Sequence, residues 1–209
     1  MADRRRGISE PVIGSGHTGS VGDNFDLAGA LGTASAANAA LTWVQMIRDG
    51  RFDAAWGAMT EDFRLVCVQD WIVNNPAVMS DPVVTGTRDE LAAELAASAS
   101  THPLWVHAGR VSERAVRSVT VDVVGGRELS AASRTRPMGP DLELIRLIPL
   151  DQLDVDEHGA HVWRPGQAVE GLSVLLQHGP DGWLVAGAGG WLPRPGWPPL
   201  FEAIVDPGD

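Results

Sequence analysis

The sequence contains no lysine and no tyrosine, and each absence excludes a class of catalytic chemistry. All 16 basic residues are arginine. Without lysine the chain cannot form a Schiff base between its own side chain and a carbonyl substrate. Without tyrosine it cannot donate a tyrosine hydroxyl to a developing oxyanion. We attribute both absences to coding bias in a GC-rich genome, and the chemical consequence holds regardless.

Cysteine and long apolar runs are also scarce. Cys67 is the single cysteine, which excludes an internal disulfide and a cysteine-rich zinc site. No stretch approaches the length of a membrane span, so we expect no membrane partner. The opening MADRRRGISEPVIGSG has arginines but no apolar run behind them, which is not the pattern of a secretory signal. We therefore expect a cytoplasmic protein.

The formal net charge of −11 makes nucleic acid an unfavourable partner, because an acidic chain repels the phosphate backbone. The cluster Arg4-Arg5-Arg6 is the one basic run. We interpret these three charges as solubilising, although they also fit a small basic arm. The charge therefore favours a chain that does not bind nucleic acid.

The length of 209 residues suits one domain with tails at its ends. Residues 1–32 are rich in Gly, Ser, Asp and Arg without periodicity, which is typical of a flexible tail. Residues 33–190 carry the periodic patterns of the domain. Residues 191–209 form an extension rich in proline and tryptophan. We expect this extension to dock on the domain or on a second subunit, through four apolar anchors: Trp191, Trp197, Leu200 and Phe201.

The first half of the domain has helical patterning. Thr33 or Ser35 can cap the first helix, Gly50 can stop it, and Thr60 can cap the third helix, which Pro76 ends. Four helices are predicted, over residues 33–49, 53–59, 61–74 and 88–100.

The second half has the patterning of strands. Valine alternates with polar residues over 119–123, before a turn at 125–126. Further strands are predicted over 129–135, 142–150, 169–177 and 183–188, with a type I turn over 179–182. Helices followed by antiparallel strands predict an α+β fold with the helices gathered on one face.

Two stretches resemble the nuclear transport factor two-like group, also called SnoaL-like. They are TWVQMIRDGRFDAAWGAMTEDFRLVCVQDWIVNN, residues 42–75, and LSVLLQHGPDGWLVAGAG, residues 172–189. Over residues 34–190 the resemblance implies a cone-shaped, curved antiparallel sheet covered by N-terminal helices, a cystatin-like or SnoaL-like α+β barrel. It also implies a pocket between helices and sheet, an apolar small-molecule ligand and a homodimer through the sheet.

The third helix carries the most suggestive polar residues. At 100° per residue, Asp70 and Asn74 lie in the middle of a broad face with Phe63, Val66, Cys67 and Trp71. If this face lines the pocket, Asp70 is a base or a hydrogen-bonding group. In the alternative, Asp70 pairs with an arginine such as Arg146 or lies in water at a rim. The opposite face, with Leu65, Val68 and Ile72, then packs on the sheet.

His107 is the candidate acid or base to work beside Asp70, although a polar residue in a connection is the simpler interpretation. Arg146, within a strand, can bind a carboxylate or form a cross-strand ion pair on the outer face. Cys67 lacks an activating partner and fits a small buried apolar residue. The full set of predicted ligand-binding residues is Trp43, Cys67, Trp71, Asn74, Trp105 and Arg146.

Histidines in the loop at His158 and His161 lie near acidic residues, but their order fits no metal-binding signature. We interpret this loop as a solvated turn and expect no metal and no cofactor. The resemblance implies several enzyme types whose sites need tyrosine, which is missing here, whereas the SnoaL-like cyclase pattern of an aspartate with a histidine survives as Asp70 with His107. We therefore favour a non-catalytic binding or interaction domain with an apolar, tryptophan-lined pocket. The alternative is an isomerase, cyclase or lyase that uses Asp70 with His107.

Overall fold

The computed structural model describes residues 35–98, 102–104, 127–164 and 167–204, with residues 131–139 described by their backbone alone. In this part of the chain, helices α1 (Ala36–Arg48), α2 (Phe52–Gly57), α3 (Glu61–Asn74) and α4 (Arg88–Ser98) precede all the strands. Short 3-10 turns cover Pro76–Ser80 and Leu150–Gln152. The strands are β1 (Leu129–Gly139), β2 (Leu142–Pro149), β3 (Asp154–Val155), β4 (His161–Val162), β5 (Leu172–Gly179), β6 (Gly182–Ala188), β7 (Trp191–Arg194) and β8 (Leu200–Ala203).

The order of helices before antiparallel strands confirms the predicted α+β class. Several predicted features lie outside the described residues: the tail over 1–32, the strand over 119–123, its turn at 125–126, and both Trp105 and His107. None of the helices in the described part has the length and apolar character needed to span a bilayer.

The helix boundaries follow local capping. Ser35 caps α1 by accepting a hydrogen bond from the backbone N–H of Asn38 at 3.3 Å. Thr60 caps α3 by accepting from the N–H of Phe63 at the same distance. After α1, Gly50 adopts a φ of 70°, which other residues rarely tolerate. The predicted cap at Thr60 and the stop at Gly50 are confirmed, and Ser35 is the cap of the first helix.

The main sheet has the strand order β1-β2-β5-β6, with antiparallel pairing throughout. The predicted β2 and the β5–β6 hairpin are confirmed, although β5 begins at Leu172 and not at the predicted residue 169. Strand β1 continues to Gly139, beyond the predicted end at residue 135. The hairpin closes at the pair Gly179 and Gly182, and Gly182 has a φ of 120°. A glycine at the last position of this turn therefore meets a backbone requirement.

One face of the sheet packs on the helices. Ile145 and Leu147 of β2 lie opposite Val174 and Leu172 of β5, and all four are buried in the same core as the helices. Trp43 of α1 fills this core with them and is only 1% exposed. The space between helices and sheet is thus filled by apolar side chains at this point, where the sequence predicted a ligand cavity.

The β6 edge of the sheet is covered by the chain that enters α3. Met59 forms an isolated parallel bridge with Val185. The N–H of Val185 donates to the carbonyl of Ala58 at 2.9 Å, and the N–H of Thr60 donates to the carbonyl of Val185 at 2.8 Å. The helical half of the chain therefore closes one edge of the sheet, which protects it from further pairing.

Residues 191–204, which we name the C-terminal strap, turn back over β6 as the hairpin β7–β8. A side chain at Gly187 would lie 2.6 Å from the carbonyl of Trp191 and 2.9 Å from Pro193, so β7 packs directly on a glycine. Beyond β7 the strap reaches α3 and α4, as predicted for the C-terminal segment. Its anchor there is Trp197, which is followed by a cis peptide bond to Pro198.

The other three predicted anchors of the strap do not dock. Trp191 is 46% exposed, Leu200 58% and Phe201 44%. The strap is anchored instead by Trp197, by the buried Pro193 and by backbone hydrogen bonds. Large apolar side chains are therefore left in solvent on the hairpin.

Candidate functional site

Helix α3 turns its Val68 face into the core. Val68 and Ile72 are buried with the sheet residues, and Gln69 beside them is the buried polar residue of the described core. Asp70 is half-buried and Asn74 is exposed. The second of the two predicted faces thus packs inward, together with Phe63 and Val66 of the first face, while Asp70 and Asn74 lie toward the outer side of the helix.

The charge of Asp70 acts on the Cys67 thiol on this side of α3. Burial, and to a smaller extent the negative charge of Asp70, raise the pKa of the Cys67 thiol to about 12. Such a thiol remains protonated near neutral pH and is a poor nucleophile. Cys67 therefore fits the expected role of a small buried group and not that of a catalytic residue.

The polar residues at the end of α3 cap the helix. The Asn74 side-chain amide donates to the carbonyl of Asp70 at 2.9 Å, and that of Asn75 donates to the carbonyl of Trp71 at 2.8 Å. The Trp71 carbonyl is one of the last four of the helix, which have no partners within it, and the Asp70 carbonyl lies one residue before them. The geometry thus gives Asn74 a structural task. The indole nitrogen of Trp71 is buried, and no described residue accepts a hydrogen bond from it.

Two buried tryptophans complete the ends of other helices. The Trp43 indole N–H donates to the carbonyl of Ala55 in the last turn of α2 at 3.1 Å. The Trp56 indole N–H donates to the carbonyl of Ala96 in the last turn of α4 at 3.2 Å. Both indoles therefore satisfy helix-end acceptors inside the core. Trp43, predicted as a pocket wall, is placed in the core.

Arg146 lies on the face of the sheet that points away from the helices. It alternates with Ile145 and Leu147, which are both in the helix-side core. Its guanidinium donates to the carbonyl of Val169 at 2.9 Å and lies 5.8 Å from the ring centre of Trp163. The structure thus separates Arg146 from Asp70 by the thickness of the sheet. Arg146 binds the loop before β5 through this carbonyl. It does not bind a carboxylate or form the predicted cross-strand ion pair among the described residues.

Of the predicted site residues, the structure therefore brings together Cys67, Asp70, Trp71 and Asn74 along α3. It places Trp43 in the core and Arg146 behind the sheet.

A groove with room for a ligand lies elsewhere, between α1 and the start of β1. Its volume is about 320 Å³. Leu41 and Thr42 line it from α1, and Leu129 lines it from β1. The remaining lining residues are polar: Gln45, Arg48 and Glu128. Ligand sites in proteins combine apolar walls with a few polar groups in this way, and this groove reaches the lower end of their usual volume.

Hydrogen bonds fix the polar wall of the groove. The Arg48 guanidinium donates to the carbonyl of Arg127. Arg127 in turn forms a bidentate pair with Asp151, with N–O distances between 2.7 and 3.1 Å. The Gln45 side-chain amide donates to Asp49 at 2.7 Å. The groove therefore has an ordered polar end, and the sequence predictions named none of its residues.

A second cavity of about 240 Å³ lies beside α4. His102 accepts a hydrogen bond from the N–H of Leu104 at 3.1 Å and faces Glu94 at 3.5 Å. Glu90 accepts from the N–H of Thr87 at 2.7 Å, which lowers its pKa and completes a capping box at the helix start. The polar groups of this cavity thus already have structural partners.

The loop with His158 and His161 is built as a turn. The Asp156 carboxylate accepts from the N–H groups of His158 and Ala160, at 2.8 and 2.9 Å. Arg164 pairs with Asp154 at 2.8 Å. Within the described ranges, no three histidine, cysteine or acidic side chains come together as metal ligands.

Comparison with known proteins adds no relative, since no family model, no curated protein and no solved structure matches this chain.

Proposed function

We propose that this chain is a binding domain without catalytic activity, and that it holds a small molecule with an apolar body and a polar end in the α1–β1 groove. The observation that carries the proposal is the groove itself. Leu41 and Leu129 offer apolar walls, while Arg48 lies at a fixed polar end. A ligand of this kind places its hydrocarbon part between the leucines and an acceptor near the guanidinium.

The chemistry of α3 supports binding over catalysis. The Cys67 thiol is held protonated by burial and by Asp70. Asn74, the polar neighbour of Asp70, donates its amide to the helix. A reaction centre needs a base within hydrogen-bond reach of a second active group, and no such pair of groups with a free hydrogen-bonding position is formed along the described α3.

The SnoaL-like assignment and its cone-shaped sheet are part of the proposal. Helices on one face of an antiparallel sheet, with a groove at the seam between the two layers, support it. The cytoplasmic location expected from the sequence belongs to the same proposal. The enzyme alternative, in which Asp70 acts with His107, is a second candidate only if substrate turnover depends on both side chains.

The test uses anilinonaphthalene sulfonate, a fluorescent probe with an apolar ring system and an anionic end. We expect backbone amide shifts on titration with this probe to be confined to residues near 41–48 and 128–129. The substitution Gln45→Trp places a bulky ring at the exposed rim of the groove, and we expect it to weaken probe binding by about ten-fold or more. The fold is retained because Gln45 is exposed.

The matched control is Asn38→Trp, at another exposed position of α1 that does not line the groove. We expect Asn38→Trp to bind the probe as the parent does. Equal binding by Gln45→Trp, or amide shifts confined to the strap or to α4, would overturn the proposal. Measuring near-ultraviolet circular dichroism for each variant confirms that loss of binding is not loss of fold.

A further inference from the structure

We propose that the free edge of β8 is the contact surface for a second copy of this chain, which pairs with it antiparallel about a two-fold axis. Among the described strands, β8 pairs only with β7. All four of its residues are exposed, and they include the apolar Leu200 and Phe201. An exposed apolar edge strand is a ready template for pairing with another strand.

The hydrogen-bond pattern of the hairpin shows which backbone groups are free. The N–H of Ile204 donates to the carbonyl of Gly190 at 2.8 Å. Backbone groups alternate in direction along an antiparallel strand, so the groups of Phe201 and Ala203 point away from β7. Pro193, opposite Phe201 in β7, fits this assignment because a proline has no N–H to donate.

The free groups are self-complementary in one register. A two-fold axis through Glu202 places Phe201 opposite Ala203 of the second copy, where each residue both donates and accepts. Moving the axis to Phe201 places Ala203 opposite Pro199, which has no N–H. The positions of the prolines thus favour pairing centred on Glu202.

Charge supports the same arrangement. The chain carries a net charge of −11, which opposes the approach of two copies over most of the surface. The strap contains only two charged residues, Arg194 and Glu202, and they pair at 2.8 Å within the hairpin. The two Glu202 carboxylates that meet at the axis are therefore each neutralised by their own arginine, which removes the repulsion of like charges across strands.

The surface is held in place before any partner arrives. The N–H of Gly196 donates to Gln69 at 2.9 Å. The Trp197 indole donates to Asp89, and the Arg88 guanidinium lies 4.0 Å from the centre of the Trp197 ring. A pre-ordered strand loses less conformational entropy on binding than a free segment does. A contact of one short strand is small, so we expect a dissociation constant on the order of micromolar.

Sedimentation of the full chain between roughly 1 and 200 μM tests the proposal. We expect a monomer–dimer equilibrium in this range. Ala203→Pro removes an outward N–H without touching the bonds to β7, so we expect it to weaken the dimer by about ten-fold or more. The matched control Ala203→Val keeps the N–H and adds similar bulk, so it should dimerise as the parent does.

A charge cycle tests the same interface without changing the backbone. Arg194→Gln exposes the two facing carboxylates, and we expect it to weaken the dimer several-fold. Adding Glu202→Gln to that variant should restore the parent dissociation constant. A parent chain that remains monomeric at about 200 μM would overturn the proposal. So would Ala203→Pro dimerising as tightly as Ala203→Val, because the copies would then meet elsewhere, for example through the main sheet.

Discussion

The backbone N–H of Gly196 donates a hydrogen bond to the buried side-chain carbonyl of Gln69, 2.9 Å away, and so joins the strap to the centre of α3. Gln69→Leu replaces the side-chain amide with an apolar group of similar size and leaves the Gly196 N–H without its acceptor. We expect the free energy of unfolding to fall by about 1–3 kcal/mol. Urea denaturation measures this change. Gln45→Leu, at an exposed position of α1, is the control and should change stability by less than about 0.5 kcal/mol.

Trp56→Phe tests the indole that completes the end of α4. The phenylalanine leaves the carbonyl of Ala96 without its donor and opens a small cavity in the core. We expect a loss of about 2–4 kcal/mol in unfolding free energy, since both effects are destabilising. The control Trp191→Phe changes an exposed tryptophan and should be nearly neutral. Equal losses for both variants in denaturant would contradict a structural task for Trp56.

The raised pKa of the Cys67 thiol leads us to expect a loss of stability at alkaline pH. Its folded pKa is about 12 and its ordinary value is 9.0, so the folded state keeps a proton that the unfolded chain releases. The contribution of the protonated thiol to the free energy of unfolding is fully present below pH 9.0, and it is lost as the pH rises toward about 12. We expect unfolding free energy to fall by up to about 1.4 kcal/mol per pH unit in that window.

The comparison for this alkaline effect is Cys67→Ala. The chain has no lysine or tyrosine to titrate in the same window, and arginine titrates above it. Denaturation curves of the parent and Cys67→Ala should therefore diverge steadily above pH 9. If the two stabilities remain parallel up to about pH 10.5, the thiol is not held protonated by the fold.

Asp70→Asn separates the two interpretations of Asp70. No described residue forms an ion pair with its carboxylate, so we expect stability to change by less than about 0.5 kcal/mol. We expect faster alkylation of Cys67 by iodoacetamide near pH 9, because one cause of its raised pKa is removed. Asp181→Asn, in the exposed β5–β6 turn, is the control for both measurements. A loss near 3 kcal/mol would instead show that Asp70 is half of a buried ion pair.

The sequence predicts the ends of helices that are capped by neighbouring residues. It does not predict the position of a side chain that depends on contacts with distant parts of the chain. The helix boundaries are set within a single turn by Ser35, Gly50 and Thr60. Their roles can therefore be predicted from the local sequence. The position of Arg146 depends on which face of β2 meets the helices. Its alternation with Ile145 and Leu147 fixes that face once the fold is known, whereas the sequence alone left both the pocket side and the outer face open for Arg146.

The contacts made by Gln69 and by the groove residues cannot be predicted from the local sequence pattern. Gln69 sits beside the apolar positions of α3, and its acceptor role appears only when Gly196 is folded against it. The groove joins Leu41 to Leu129, which belong to distant elements. The available sign is the pair of polar positions Thr42 and Gln45, which interrupt the apolar run of α1 over residues 39–47.

The bridge between Met59 and Val185 joins a segment that is synthesised early to a strand that is synthesised late. The ribosome synthesises α1, α2 and α3 long before β5 and β6 leave it. Until then, the inner faces of these helices and the chain around Met59 have nothing to pair with. The hydrogen-bond partner of Gln69 is synthesised later still, because Gly196 lies 127 residues further along the chain. We expect nascent chains that stop before residue 172 to expose this helical layer to proteases and chaperones.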